Sequence, residues 1–122
     1  MVTPSGGLTR AILMAFDERL AERMRRALGR RKGLTEKQMF GGVGFLLNGN
    51  MCCGIHKSAM IVRIAPEETE RVLAQPHTRR FDLTGRPMKG WILVEPAGLK
   101  TAPQLRKWVE VSAKYAASLP AK

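Results

Sequence analysis

The stretch Phe45-Leu46-Leu47-Asn48-Gly49-Asn50-Met51-Cys52-Cys53-Gly54-Ile55 decides the fold. It holds two short apolar runs, residues 45–47 and 51–55, on either side of Asn48-Gly49. Asn and Gly both tolerate the positive φ that a tight type I′ turn demands, so this pair between two apolar runs is a strong hairpin signal. The stretch therefore predicts two antiparallel strands joined by a tight turn.

Four more segments have the pattern of strands. A short run at residues 37–40 precedes the hairpin, and residues 60–64 follow it with alternating side chains that would face opposite sides of a sheet. Further along, residues 81–83 predict a short strand and residues 91–95 predict the last one. Each run is bounded by turn residues, as strands usually are.

Three segments have the pattern of helices. Apolar residues recur at helical spacing from about Ala15 to Leu28, with acidic residues in the first turn and arginines near the end. Pro66 opens a short second helix, which Gln75-Pro76 ends because the residue before a proline resists the helical conformation. Thr101 starts the last helix, with Gln104 at capping-box spacing.

The order of segments is therefore a helix, three or four strands, a helix, two strands and a helix. Strands joined by short turns form antiparallel pairs, and helices cover the apolar face of such a sheet. We predict a two-layer α+β domain with the helices packed on one face of an antiparallel sheet.

Size and composition fit one soluble domain. The chain has 122 residues, of which 44% are hydrophobic and 25% charged, as in ordinary globular proteins. No apolar run reaches the roughly 20 residues that a membrane-spanning helix needs, and the N-terminus lacks the pattern of a secretory signal. We expect a cytoplasmic protein that does not associate with membranes.

The two cysteines are adjacent, at Cys52 and Cys53. Neighbouring cysteines close only a strained ring, so we predict two free thiols in a reducing compartment. On a regular strand they would point to opposite faces, with one in the core and at most one facing solvent.

The charge is the most unusual global property. The formal net charge is +11, and much of the excess lies between Arg19 and Lys37. Arg23, Arg26 and Arg30 recur at helical spacing on one side of the predicted first helix. They form either a phosphate-contacting stripe with salt-dependent binding or a solvated face that keeps the protein soluble.

Two motifs have some, but not all, of the residues that a phosphate-binding loop or a cysteine–histidine site requires. Gly41-Gly42-Val43-Gly44 lacks both the Gly-Lys-Ser/Thr of a P-loop and the longer glycine pattern of a dinucleotide site, so a turn or bulge is the interpretation. Cys52 and Cys53 with His56 and the distant His77 lack the spaced pairs of a structural zinc site. A nucleophilic Cys53 with either histidine as base stays open. No catalytic, metal or cofactor-binding residue is assigned, and no cofactor is expected.

The stretch Lys37-Gln38-Met39-Phe40-Gly41-Gly42-Val43-Gly44-Phe45 resembles the signature of the TfoX N-terminal domain family, part of the TfoX/Sxy competence regulators. The similarity runs from about Met14 to Tyr115. Its further elements keep the family's order: Asn48-Gly49-Asn50-Met51, Arg63, Phe81, Thr84-Gly85-Arg86-Pro87-Met88, residues 91–95 and a closing helix containing Trp108.

The resemblance implies an α-β(3)-α-β(2)-α fold, often dimeric, and a role in competence and in transcription with the cyclic-AMP receptor protein. It supplies no catalytic residues. Two-domain regulators of the family carry a C-terminal domain, whereas this chain ends at Lys122. We expect a domain over residues 14–119, a flexible extension over residues 1–13, and translation that begins at Met14.

Together these observations predict a non-enzymatic regulatory or adaptor protein with a partner in the transcription machinery, and a homodimer is also expected. The first alternative is weakly specific nucleic-acid binding through the basic first helix; the second is a small cysteine-dependent enzyme. The residues predicted to contact a partner or nucleic acid are Arg23, Arg26, Arg30, Arg31, Lys32, Gly41, Gly42 and Gly44.

Overall fold

The computed structural model describes residues 17–39, 41–82 and 88–122. Several predictions from the sequence lie outside these residues: the flexible extension, the start at Met14, the first turn of the first helix at Ala15, and the segment 83–87.

In the described part of the chain, six strands form one sheet in which every neighbouring pair is antiparallel. Their order across the sheet is β1-β2-β3-β4-β6-β5. The strands are β1 (Leu34–Met39), β2 (Gly42–Leu47), β3 (Asn50–His56), β4 (Ala59–Arg63), β5 (Thr78–Arg80) and β6 (Trp91–Val94).

The predicted central hairpin is confirmed. β2 and β3 pair with each other, and the turn between them holds Asn48 at φ 52° and Gly49 at φ 86°. Both angles lie in the left-handed region that a type I′ turn requires. The local chemistry of two residues therefore sets the register of the sheet's centre.

Two details of the strand pattern differ from expectation. Four strands precede the second helix, where the resemblance implied three and the residue pattern allowed three or four. The strand predicted at residues 81–83 is wrong in position, since β5 is Thr78–Arg80. After the second helix, His77 adopts a positive φ of 65°, and pairing with β6 begins at the next residue, Thr78. Phe81 follows the strand and is buried.

Within residues 17–39, 41–82 and 88–122, three α-helices accompany the sheet: α1 (Glu18–Leu28), α2 (Thr69–Leu73) and α3 (Ala102–Ala117). Asp17 caps α1 by accepting hydrogen bonds from the amides of Arg19 and Leu20. Thr101 and Gln104 form the predicted capping box at the start of α3. Among the described residues, no helix has the length and apolar character needed to cross a membrane.

All three helices contribute to one core on one face of the sheet, so the predicted two-layer α+β architecture is confirmed. The apolar stripes of the helices meet the inward side chains of the strands there. Members include Leu20, Met24 and Leu28 of α1, Val72 of α2, Leu105, Trp108 and Val109 of α3, and Phe45, Ile55, Val62 and Val94 of the sheet. A smaller cluster of buried apolar residues is separate from this core and consists of Ala59, Ile61, Phe81 and Leu93.

Candidate functional site

Ion pairs distribute the charge of this protein unevenly. The chain has ten acidic residues against 21 arginines and lysines. Among the described residues, carboxylates pair with only five arginines. These pairs are Arg25 with Glu22 and Glu36, Arg31 with Glu110, Arg71 with Glu68, Arg79 with Glu95, and Arg80 with Glu70. The remaining cations carry the excess positive charge.

Three of the remaining arginines line one groove. Arg23 and Arg26 lie on α1, and Arg106 lies in the first turns of α3. The groove has a volume of about 370 Å³, and its other lining residues are Ala27, Ala102 and Leu105. No carboxylate within the described part of the chain forms an ion pair with any of the three arginines. We call this the arginine groove.

Arg23 is held in place within the arginine groove. Its Nη2 donates a hydrogen bond to the carbonyl oxygen of Leu99, 2.5 Å away, and its side chain is half-buried. Leu99 itself is buried in the core, at the end of the turn that leads into α3. Arg26 and Arg106 are exposed. The fold therefore holds the guanidinium of Arg23, while the side chains of the other two arginines are exposed to solvent.

The predicted stripe of Arg23, Arg26 and Arg30 is wrong as a helical stripe. α1 ends at Leu28, and Gly29, at φ 64°, turns the chain away before Arg30. The structure instead places Arg106 beside Arg23 and Arg26. Arg106 was not predicted because it lies about 80 residues from Arg23 and Arg26 along the chain. Its signal in the sequence is a position off the apolar stripe of the last helix.

The other predicted contact residues do not line the arginine groove. Arg31 pairs with Glu110, and its Nε donates to the carbonyl oxygen of Leu28 at 2.9 Å. Arg31 and Lys32 line a second groove, of about 610 Å³, that also contains Glu110. Because Glu110 neutralises Arg31, this second groove has less excess positive charge than the arginine groove.

Gly41 lies in the turn before β2, as predicted for this stretch, whereas Gly42 and Gly44 lie within the strand. Gly41 is exposed at φ 72°, and a Cβ there would meet nothing within 4 Å. Gly42 and Gly44 are buried in β2, where they pair with Met39 and Lys37 of β1. This part of the chain is an antiparallel connection and does not precede a helix, unlike a phosphate-binding glycine loop.

The prediction that Cys52 and Cys53 point to opposite faces is wrong. Both are free, both are fully buried in the same core, and their sulfurs lie 3.8 Å apart. The cause is a β-bulge: Phe45 pairs with Cys53 and Leu46 pairs with Met51, which leaves Cys52 without a partner on β2. An extra residue in one strand breaks the alternation of side chains.

The thiol pair does not have the geometry of a nucleophile with its base. The pKa of Cys53 is raised, because its thiol contacts that of Cys52 and because burial disfavours a thiolate. His56 lies near Phe81, with the ring centroids 6.2 Å apart, and Phe81 belongs to the smaller cluster away from the thiols. His77 is exposed. Within the described ranges, no group of three or more His, Cys, Asp or Glu residues could hold a metal ion.

A third groove lies between α2 and the second half of α3, and we call it the α2–α3 groove. Its volume is about 390 Å³. Its lining residues are Ile64, Ala65, Glu68, Arg71, Val72, Val111, Lys114, Tyr115 and Ser118. Val111, at 39% exposure, is the one large hydrophobic side chain exposed among the residues the structure describes. This groove combines an apolar floor with cations at its rim.

Comparison with known proteins identifies the family. The family model described as the TfoX N-terminal domain matches residues 26–116. No curated protein and no solved structure matches the chain. The matched residues include the thiol pair, the lining of the arginine groove except Arg23, and the lining of the α2–α3 groove except Ser118.

Proposed function

This chain belongs to the TfoX N-terminal domain family, and on that premise we propose that it is a non-enzymatic regulatory adaptor. It acts in the cytoplasm through contacts with a protein of the transcription machinery. The observation that carries this proposal is the α2–α3 groove, which leaves Val111 exposed beside other apolar side chains. We take the apolar lining of this groove, with Val111 at the surface, as the contact surface for a protein partner.

The chemistry of the α2–α3 groove indicates the kind of partner. Ile64, Val72 and Tyr115 supply an apolar floor, which favours an inserted hydrophobic side chain. At the rim, Arg71 pairs with Glu68, whereas Lys114 forms no ion pair in the described part of the chain. A partner segment with an apolar anchor and a neighbouring carboxylate would satisfy both features, since complementary charge steers association.

Two observations support a non-enzymatic role. The thiols of Cys52 and Cys53 are inside the core, and the raised pKa of Cys53 keeps it protonated near neutral pH. Several carboxylates that could act as acids or bases are instead held by arginines, as in the pairs of Glu36 and Glu95. General acid–base catalysis needs groups that are free to exchange protons with a substrate.

The direct test measures binding to a protein of the transcription machinery. The family's role makes the purified cyclic-AMP receptor protein the first probe, with biolayer interferometry as the readout. We expect Val111→Asp to weaken binding at least about tenfold, because it places a carboxylate in the contact. Ala117→Asp adds the same charge at an exposed position of the same helix, outside the α2–α3 groove, and should bind like the wild type.

A regulatory readout complements the binding measurement. Deletion of the gene in its host should change the abundance of a set of transcripts, and the wild-type chain or Ala117→Asp should restore them where Val111→Asp does not. Unchanged transcripts after deletion would contradict a regulatory role. Equal behaviour of the two variants would show that the α2–α3 groove is not the contact surface.

A second candidate function is weakly specific nucleic-acid binding. The observation that favours it is the arginine groove, where Arg23, Arg26 and Arg106 form no ion pair with a described carboxylate. Binding to DNA would weaken steeply with salt, because it releases counterions from the phosphate backbone.

A homodimer is a further expectation from the family, and sedimentation velocity of the purified chain at two concentrations tests it.

A further inference from the structure

We propose that the arginine groove is a binding site for a phosphate group. The proposal does not depend on the adaptor function, since Val111 and the α2–α3 groove lie elsewhere on the domain. It gives the nucleic-acid alternative a defined site. Nothing in the family match assigns a ligand to these residues.

Charge is the first argument. Three arginines line one groove, whereas six of the chain's ten acidic residues pair with arginines elsewhere. Cations placed together repel one another, and their attraction to an anion bound between them offsets this repulsion. A merely soluble surface would have carboxylates interspersed among these arginines, as they are around Arg25.

The shape of the donors favours phosphate over a single carboxylate. Each guanidinium presents a planar fork of N–H donors that matches phosphate oxygens in pairs. A phosphate group has enough oxygens to accept from several forks at once, whereas one carboxylate has two oxygens and suits one fork. Three arginines on two elements, Arg23 and Arg26 from α1 and Arg106 from α3, can therefore converge on one phosphate.

The fold also holds one arginine of the groove in place before a ligand binds. The hydrogen bond from Arg23 to the Leu99 carbonyl oxygen fixes one guanidinium before any ligand arrives. A side chain already held by the fold loses less rotamer freedom on binding than a free one. Because Arg23 uses Nη2 for this bond, its other N–H groups remain available to a ligand.

The groove also includes the start of a long helix. Ala102, the first residue of the 16-residue α3, lines it. In that first turn Pro103 has no N–H and the amide of Gln104 donates to Oγ1 of Thr101, while the amide of Ala102, at the positive end of the helix, forms no hydrogen bond with a described residue. The helix end adds to the field of the three arginines. Ala27 and Ala102 are small, so they leave a ligand room to approach.

The experiment compares two double variants with equal changes of charge. Arg26→Glu/Arg106→Glu removes two arginines of the groove and leaves the structural bond of Arg23. Lys37→Glu/Lys89→Glu makes the same change of charge at exposed lysines outside the groove, neither of which forms an ion pair with a described carboxylate. Arg26→Ala/Arg106→Ala is a milder groove variant, and thermal melts by circular dichroism establish that all three fold.

Two probes distinguish the source of the phosphate. A fluorescein-labelled DNA duplex, titrated by anisotropy, reports backbone phosphodiesters; inorganic pyrophosphate, titrated by amide NMR at constant ionic strength, reports free phosphate. We expect the groove variant to bind DNA at least about tenfold more weakly and with a smaller salt slope, because fewer cations remain to neutralise phosphate. The lysine variant should keep a slope near that of the wild type.

Each outcome bears on the proposal. Groove-dependent binding of DNA alone supports backbone phosphate as the ligand, and shifts at Ala27, Ala102 and Leu105 with pyrophosphate support free phosphate. Equal losses in the two double variants would overturn the site, and so would the absence of binding by both probes near physiological salt. Polyglutamate binding as tightly as DNA would also overturn it, because the groove would then respond to negative charge of any kind.

Discussion

The sulfur atoms of Cys52 and Cys53 lie 3.8 Å apart inside the core, although the two residues are neighbours in one strand. The β-bulge opposite Phe45 and Leu46 turns both side chains towards the helices. There the sulfur of Cys52 lies 3.4 Å from Oγ of Ser112, which in turn donates to the carbonyl oxygen of Val109. The pair thus joins the sheet to α3.

Both thiols should react slowly with alkylating reagents in the folded protein. Full burial blocks access, and the raised pKa of Cys53 keeps its thiolate scarce at neutral pH. Labelling by iodoacetamide, followed by mass spectrometry, should match the free-thiol rate only in denaturant. Rapid labelling of Cys53 in the native state would revive the cysteine-dependent enzyme as a function.

Gly54 should not tolerate a side chain. A Cβ at this position would lie 2.5 Å from the carbonyl oxygen of Val43 and 3.3 Å from the Cα of Gly44, both backbone atoms of the neighbouring strand. We expect Gly54→Ala to reduce the free energy of unfolding by about 3 kcal/mol, measured by urea denaturation.

Gly41→Ala is the control for that measurement. A Cβ at Gly41 meets no atom within 4 Å, so only the positive φ of 72° opposes it, at about 1 kcal/mol. Equal losses for the two variants would mean that β2 and β3 do not approach as closely at Gly54 as the structure has them.

The pair of Arg25 and Glu36 should make stability depend on pH. Two hydrogen bonds, of 2.8 and 2.7 Å, join their side chains, and they lower the pKa of Glu36. A carboxyl whose pKa is lower in the folded state stabilises the protein above its unfolded pKa of about 4.3, and the contribution is lost as the pH falls through the folded value.

Substitution of Glu36 measures this contribution. Glu36→Gln should lower the free energy of unfolding by about 0.5 kcal/mol at neutral pH, because the pair is partly exposed. The difference from wild type should shrink in acid below the folded pKa. Glu67, which is exposed and forms no ion pair within the described ranges, is the control, since Glu67→Gln should leave the free energy of unfolding at neutral pH near that of the wild type.

Arg63, the last residue of β4, should stabilise the fold through its planar guanidinium. Its central carbon lies 5.1 Å from the ring centroid of Trp91 and 5.7 Å from that of Tyr115, and Nη1 donates to the Met51 carbonyl oxygen at 3.2 Å. We expect Arg63→Ala to lower the free energy of unfolding by about 1–2 kcal/mol. Arg63→Lys should recover less than half, because an ammonium does not stack on two rings. Full recovery by lysine would mean that charge alone matters there.

Local chemistry made much of the fold predictable. Asn48-Gly49 determined the hairpin because few residue pairs accept two consecutive positive φ angles. Thr101 and Gln104 determined the start of α3, since each side chain satisfies the backbone amide of the other. The apolar stripes of α1 and α3 identified the core-facing side of each helix.

The sequence by itself determined what depends on neighbours in the chain: the turn types, the helix starts and most of the strands. Only the tertiary structure decided what depends on partners far along it. The bulge at Cys52 exists because β2 pairs with β3 in one register, and α3 receives both thiols. The arginine groove exists because packing of α1 against α3 brings Arg106 to Arg23 and Arg26, while carboxylates on other elements neutralise Arg25 and Arg31. Coulomb interactions depend on distances in space, and the spacing of residues along the chain does not give those distances for residues on different elements.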